Sequence, residues 1–299
     1  MTGEDKDEGA EKLRSGQGIA IWKFSVGMAA KVAGGMAGVG TTAVTANPFI
    51  GAAVGTSLAH SLEKVGTYLV DTRLGPRQAA RVGRAIAVAA TRMDERVSSG
   101  QTLRADEFTR PDHTGRSAAD ETIEAALLAA MNSAEEKKID FIAALMTSIG
   151  FNNEISPADA QLLIETAHNI RFRAFVVMKI ASQIKSYGWP ARGGEDLPGP
   201  PEKYHPLMSQ IFDMTQRGIV EMRSAPDDIN LYAILGPDEI DPTKLHLSPF
   251  GWMLFNGMEL SRLSDDDDTY IRTVADLAEL SGYGKGTPRV DARIDDGQF

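Results

Sequence analysis

The chain has 299 residues, a net charge of −10 and no cysteine. This length is enough for two domains that each bury a core of their own. The missing cysteines exclude disulfides, thiolate zinc sites and a cysteine nucleophile. The acidic balance argues against nucleic-acid binding over the whole surface, although it leaves room for local basic patches.

Residues 1–18 are charged, rich in glycine and almost without apolar side chains, which predicts a disordered tail. The tail is acidic and polar, unlike a secretory signal with its basic start and apolar core.

Residues 19–74 are predicted to form a Gly/Ala-rich helical hairpin. Between Lys31 and Glu63 the only ionisable side chain is His60. The turn falls at Asn47-Pro48, because proline cannot continue a helix that enters it.

The hairpin has features of a membrane insertion. Each arm approaches the roughly 20 residues that cross a hydrocarbon core. The small-xxx-small spacing that lets helices approach closely in lipid is found at Gly34, Gly38, Gly51 and Gly55. Basic residues flank both ends, so both ends are expected to be cytoplasmic. The alternative is a core hairpin of a soluble protein, because the run is only weakly hydrophobic and Lys31 lies inside its first arm.

A central helical domain is predicted over residues 75–187. Its first helix has an apolar stripe at Val82, Ile86, Ala89 and Met93. A second face has arginines at positions 73, 77, 81 and 84, whose guanidinium groups could hold the phosphates of lipid or nucleic acid. The alternative is an ordinary solvated face next to the membrane.

Further helix starts follow from local signals. A capping box is predicted at Ser117 with Asp120, another at Ser133 with Glu136, and an N-cap at Ser156. A mostly apolar helix over residues 172–187 should be buried.

A Gly/Pro-rich linker at residues 188–202 precedes a predicted winged-helix-like α+β module at 203–280, with a flexible tail at 281–299. The module has a helix at 206–217, apolar pieces at 218–223, 229–235 and 244–249, and a helix at 250–263. Its few basic residues favour packing or oligomerisation over DNA reading. The acidic run 265–268 could bind a cation or cap a helix.

No enzyme is predicted. Phosphate-loop, GxSxG and HExxH motifs are absent, and the five histidines are isolated from one another. Glu121 and Glu124 share a face, but without a nearby histidine they make a poor metal site. We expect no cofactor and no metal.

Residues 81–163, including RVGRAIAVAATRMDERVSSG and ISPADAQLLIETA, resemble a widespread bacterial family of helical proteins. Together with the hairpin before them and the winged-helix-like part after them, residues 18–263 are similar to the membrane-channel effectors of the Hailong anti-phage defence system. The resemblance lies in diffuse helical patterns, so no ligand contact is carried over residue by residue.

The resemblance implies a homo-oligomeric ion channel in the inner membrane, with cytoplasmic domains. A single-stranded DNA oligomer from a partner nucleotidyltransferase would keep it shut, and loss of that DNA would open the pore. In such an oligomer Thr41, Thr42 and Thr45 could line the pore. Candidate phosphate ligands are Arg77, Arg81 and Arg84, or Arg171 and Arg173. The alternative function is a soluble adaptor or regulator that binds protein or nucleic acid.

Overall fold

The computed structural model describes residues 74–189, 201–222 and 240–283, together with Val65. These residues are mainly helical, as predicted, with eight α-helices and one two-stranded sheet. The elements are α1 (Pro76–Ser98), α2 (Ala118–Asn132), α3 (Ile139–Phe151), α4 (Pro157–Asn169), α5 (Phe172–Ser182), α6 (His205–Gln216), β1 (Val220–Met222), β2 (Leu245–Leu247), α7 (Pro249–Gly257) and α8 (Asp268–Ala278).

The chain divides into two compact units. Among the described residues, the first unit contains those up to Arg171 together with Gly257–Glu259, and the second contains those from Phe172 to Asn256 and from Leu260 onward. The predicted hairpin and both predicted tails lie outside the described residues, apart from Val65 and a few residues at the edges, and so does most of the predicted linker.

In the first unit, α1 packs against α2 and α3, and α2 packs against α3 and α4. The predicted apolar stripe of α1 is buried, with Val82 and Ala89 inaccessible to solvent. Opposite it, α3 buries ten of its thirteen residues, including Ile142 and Leu145. These contacts make a helical core in which the charged side chains of α1 remain at the surface or at its margin.

Most of the predicted helix ends are confirmed. At the start of α2, Asp120 N donates to Ser117 Oγ at 3.1 Å and Ser117 N donates to Asp120 Oδ2 at 3.2 Å. Ser156 likewise caps α4. At the end of α1, Gly100 takes a φ of +88°, a backbone conformation open to glycine without a Cβ penalty.

The predicted cap at Ser133 is wrong. Ser133 instead ends α2, and its hydroxyl donates to Glu135 O at 3.0 Å. A short 3-10 turn, Glu136–Lys138, comes before α3. In this turn the buried Lys138 ammonium donates to the carbonyls of His168 and Ile170, both at 2.6 Å. This contact holds Lys138 against the end of α4, and α3 begins only after it.

In the second unit, β1 pairs antiparallel with β2, with Val220 opposite Leu247. The two strands lie within the predicted pieces 218–223 and 244–249, whereas the piece at 229–235 lies outside the described residues. The predicted last helix is shorter than expected, because α7 ends at Gly257 and a 3-10 turn follows at Leu260–Arg262.

The acidic run 265–268 begins a helix. Asp267 accepts a hydrogen bond from Thr269 N at 2.8 Å and so caps α8. Of the two alternatives for these residues, helix capping is the one seen.

Candidate functional site

All five predicted phosphate ligands lie among the described residues, and three of them are on α1. Arg77 is exposed in the first turn of the helix. Arg81 and Arg84 lie one and two turns further along, where α1 packs against α2 and α3. The side chain of Arg81 is 18% exposed and that of Arg84 is 48% exposed, so the three arginines differ in their access to a ligand.

Two of these arginines already hold carboxylates. Arg81 Nε donates to Glu136 Oε1 at 2.6 Å, and Arg81 Nη1 donates to Met131 O at 3.3 Å. Arg84 donates to both carboxylate oxygens of Asp140, at 2.6 and 2.8 Å. These hydrogen bonds raise the pKa of Arg84 above its ordinary value. Both arginines therefore tie α1 to the start of α3, and a phosphate would have to compete with their carboxylate partners.

The other predicted pair belongs to two different units. Arg171 is exposed after the end of α4 in the first unit. Arg173, on α5 in the second unit, donates to Gln210 Oε1 at 2.7 Å and to Pro206 O at 3.0 Å, which links α5 to α6.

A second arginine pair on α1 was not among the predicted ligands. Arg96 Nη2 donates to Ser148 Oγ at 2.7 Å and to Glu259 Oε1 at 3.0 Å. Arg92 Nε lies 3.3 Å from Glu259 Oε2. The spacing of arginines along α1 continues to these positions and could have suggested them. Their partner could not have been found, because Glu259 is 163 residues from Arg96 in the chain.

This second cluster is partly enclosed, and we refer to Arg92, Arg96, Ser148 and Glu259 as the arginine cradle. The side chains of its two arginines are 21% and 20% exposed, and that of Glu259 is 14% exposed. The Nε atoms of both arginines are buried without a hydrogen-bond acceptor among the described residues. Buried donors normally have acceptors, so the cradle has unused capacity to bind an anion.

A cleft of about 200 Å³ lies between α2 and α4 in the same unit. Its apolar wall comes from alanine, leucine and isoleucine side chains, and its polar residues are Asn132, Gln161, Glu165 and His168. His168 Nδ1 is buried without a hydrogen-bond partner among the residues that the structure describes. The carboxylate of Glu165 disfavours a phosphate here, so this cleft suits a small neutral or cationic group.

The predicted pore and hairpin residues, Thr41, Thr42, Thr45, Gly34, Gly38, Gly51 and Gly55, lie outside the described part of the chain. Within that part, none of the helices has the length and hydrophobicity needed to span a bilayer. The same residues contain no group of three histidine, aspartate or glutamate side chains placed to hold a metal ion.

Comparisons with known proteins give no relative for this chain. No protein-family model matches it, and neither the curated proteins nor the solved structures include a significant match.

Proposed function

We propose that this protein is an oligomeric membrane-inserting effector of anti-phage defence. Residues 19–74 would insert into the inner membrane as a hairpin and form an ion channel that depolarises the cell. The helical and winged-helix-like parts would stay in the cytoplasm and gate the channel by binding a DNA oligomer from a partner nucleotidyltransferase. The observation that carries the proposal is the run from Lys31 to Glu63, in which His60 is the only ionisable side chain.

The position of α1 supports a direct link between the two parts. The hairpin is predicted to end at residue 74, and α1 begins at Pro76, so only Gly75 separates them. A ligand that shifted α1 would therefore act on the second arm of the hairpin without a long flexible linker between them.

The charges of α1 support a phosphate-bearing ligand. Arg77 is exposed, and the carboxylates that hold Arg81 and Arg84 are themselves accessible, with Glu136 at 55% and Asp140 at 39% side-chain exposure. Exposed ion pairs are worth little, typically about 0–1 kcal/mol, so a polyanion can displace them. A row of such arginines suits the backbone of a single-stranded oligonucleotide.

The second unit supports the winged-helix-like part of the proposal. The order α6, β1, β2, α7 and the antiparallel pairing of β1 with β2 would fit a helix followed by a wing and a closing helix. Arg217 is engaged by Asp213 at 2.8 Å, and Lys244 lies 3.8 Å from Asp241 Oδ2. With these cations engaged by acids, packing or oligomerisation is the favoured role of the module.

Membrane flotation tests this function. The full-length chain should float with vesicles, resist extraction by alkaline carbonate and form oligomers in detergent. A chain that lacks residues 1–73 should keep its helical circular dichroism spectrum and remain in the aqueous fraction. A full-length chain that stays monomeric in water without detergent would contradict the proposal.

A soluble adaptor is the second candidate function, and one surface favours it. Trp252 and Met253 on α7 are 40% and 42% exposed. Large exposed apolar side chains next to each other are typical of a protein-binding surface. An adaptor would bind its partner through residues 206–263 without detergent, and Trp252→Ala would weaken this binding without changing membrane flotation.

A further inference from the structure

We propose that Arg92, Arg96 and Ser148 form a binding site for a phosphate group, and that Glu259 occupies this site as an internal competitor. The phosphate could be inorganic phosphate or the terminal phosphate of an oligonucleotide. The second source rests on the proposed function, whereas the site itself does not. Binding of the phosphate would displace Glu259 and release Gly257–Glu259 from the first unit.

The arginines of the cradle present hydrogen-bond donors that can bind a phosphate. Arg92 and Arg96 lie four residues apart on α1, so their guanidinium groups project from the same face of the helix. Their Nε atoms are buried, and neither donates a hydrogen bond among the described residues. Guanidinium groups bind phosphate through pairs of parallel hydrogen bonds. A phosphate has more acceptor oxygens than a carboxylate, so it can accept a hydrogen bond from Arg96 Nε, which Glu259 does not engage, and improve the contact of Arg92 Nε, which lies 3.3 Å from Glu259 Oε2.

The hydroxyl of Ser148 would become available as a hydrogen-bond donor once Glu259 is displaced. Ser148 Oγ accepts from Arg96 Nη2 at 2.7 Å and donates to Gly257 O at 2.8 Å. Once Gly257 moves away, this hydroxyl is free to donate to a phosphate oxygen instead. Ser148 lies on α3, so the bound phosphate would bridge α1 and α3.

The backbone at Glu259, the internal competitor, is held in a conformation that costs free energy. Glu259 has a φ of +53°, and it is the only non-glycine with positive φ among the described residues. An ordinary side chain in this region is strained. Gly257 is packed so closely that a Cβ there would lie 2.6 Å from Leu145 Cδ1. Release would relieve the strain at Glu259, which makes the carboxylate easier to displace.

The charges of the cradle favour an anion in the place that Glu259 occupies. Arg92 also pairs with Glu95, at 2.9 Å from Nη1 to Oε2, so the two arginines are balanced by Glu95 and Glu259. Departure of Glu259 would leave one uncompensated positive charge in a partly desolvated place. A phosphate monoanion would neutralise this charge and interact with Arg92 and Arg96 together.

The test uses the full-length chain titrated with inorganic phosphate, and with a short single-stranded oligodeoxynucleotide with and without a 5′-phosphate. Glu259→Gln removes the competing charge and should tighten phosphate binding about tenfold. Glu95→Gln is the matched control, because it removes an acid that pairs with Arg92 outside the cradle, and its effect should be under about twofold. Hydrogen exchange at residues 257–259 should rise when phosphate binds to the wild-type chain.

Arg92→Lys and Arg96→Lys keep the positive charges but lose the forked donors, so each should weaken phosphate binding about tenfold or more. Circular dichroism checks that these variants fold. If one of them does not fold, the other is sufficient for the test. Equal phosphate affinity of the wild-type and Glu259→Gln chains would overturn the proposal, and so would unchanged binding in a folded Arg96→Lys variant.

The oligonucleotide arm separates this proposal from the proposed function. If inorganic phosphate binds and releases residues 257–259 while no oligonucleotide does, the site stands and DNA gating fails. If the oligonucleotide binds equally well with and without the 5′-phosphate, and Arg96→Lys has no effect on either form, DNA gating stands and this site is overturned.

Discussion

Arg104 shows how one buried cation holds several loops of the first unit in place. Its side chain is 3% exposed. Nη1 donates to the carbonyls of Asn152 and Ile155, both at 2.9 Å, and the rest of the guanidinium forks onto the carboxylate of Asp106. The guanidinium also lies 3.9 Å from the ring centroid of Phe108. These contacts tie the segment before α2 to the connection between α3 and α4.

Replacing Arg104 with lysine should therefore destabilise the protein. An ammonium cannot make the fork and both carbonyl contacts at once, and we expect Arg104→Lys to lower the free energy of unfolding by about 2 kcal/mol. Arg110→Lys is the control, because the side chain of Arg110 is 66% exposed and its ion pair among the described residues is with exposed Glu107. Urea unfolding followed by circular dichroism measures both, and equal effects would contradict this account of Arg104.

The contact between Arg104 and Asp106 also makes the stability of the protein depend on pH. The hydrogen bonds from Arg104 lower the pKa of Asp106 below its ordinary value. A carboxyl whose pKa is lowered by folding stabilises the protein at pH values above about 4, and this stabilisation is lost as the pH falls through the lowered pKa. Asp106→Asn should flatten the loss of stability below about pH 4. An acid unfolding curve with the wild-type slope in this variant would count against the assignment.

The close approach of α7 to Ile219, just before β1, depends on Gly251. A Cβ at Gly251 would lie 2.0 Å from Ile219 O, where no shift of a flexible side chain can relieve the clash. Gly251 N also donates to Ser248 Oγ at 2.9 Å, which fixes the first turn of α7. The helix can approach the backbone of Ile219 this closely only because position 251 has no side chain.

We expect Gly251→Ala to lower the free energy of unfolding by about 2 kcal/mol, because α7 must move away from the carbonyl of Ile219. Met253→Ala on the exposed face of the same helix should change it by less than about 0.5 kcal/mol. Thermal unfolding followed by circular dichroism compares the two. A Gly251→Ala variant as stable as Met253→Ala would show that α7 does not pack this closely.

The elements that the sequence predicted well are those set by neighbouring residues. The apolar stripe of α1 and the caps at Ser117 and Ser156 each depend on residues within a few turns, so their spacing can be read directly. The cap at Ser133 was predicted wrongly. Just before α3 the chain is held by buried Lys138, whose carbonyl partners at the end of α4 are 30 and 32 residues away in the sequence. Contacts between such distant residues cannot be read from a local pattern.

The candidate sites were harder to predict for the same reason. Arginines on one face of α1 were visible in the sequence. The carboxylate partners of Arg81, Arg84 and Arg96 are 55 to 163 residues away in the sequence and are brought close only by the packing of the first unit. The sequence therefore predicted cations available for phosphate, while the structure shows Arg81, Arg84 and Arg96 already bound to acids.

In the function that we propose, residues 19–74 form a pore when several copies of the chain assemble in a membrane. The arms contain glycine at spacings that let helices pack closely in lipid, and the run between Lys31 and Glu63 has almost no ionisable groups. The described units would remain outside the bilayer and respond to a ligand. Substitutions within the hairpin alone should therefore abolish the pore and leave the fold of the described units unchanged.

Ion release from liposomes tests this claim most directly. The full-length chain, added without ligand, should release trapped ions. Val39→Asp places a charge near the centre of the part of the first predicted arm that follows Lys31, at a cost of about 2.5–3.5 kcal/mol in a bilayer, and should abolish the release while leaving the circular dichroism spectrum unchanged. If the wild-type chain releases no ions, or if Val39→Asp releases them equally well, the hairpin does not form the pore.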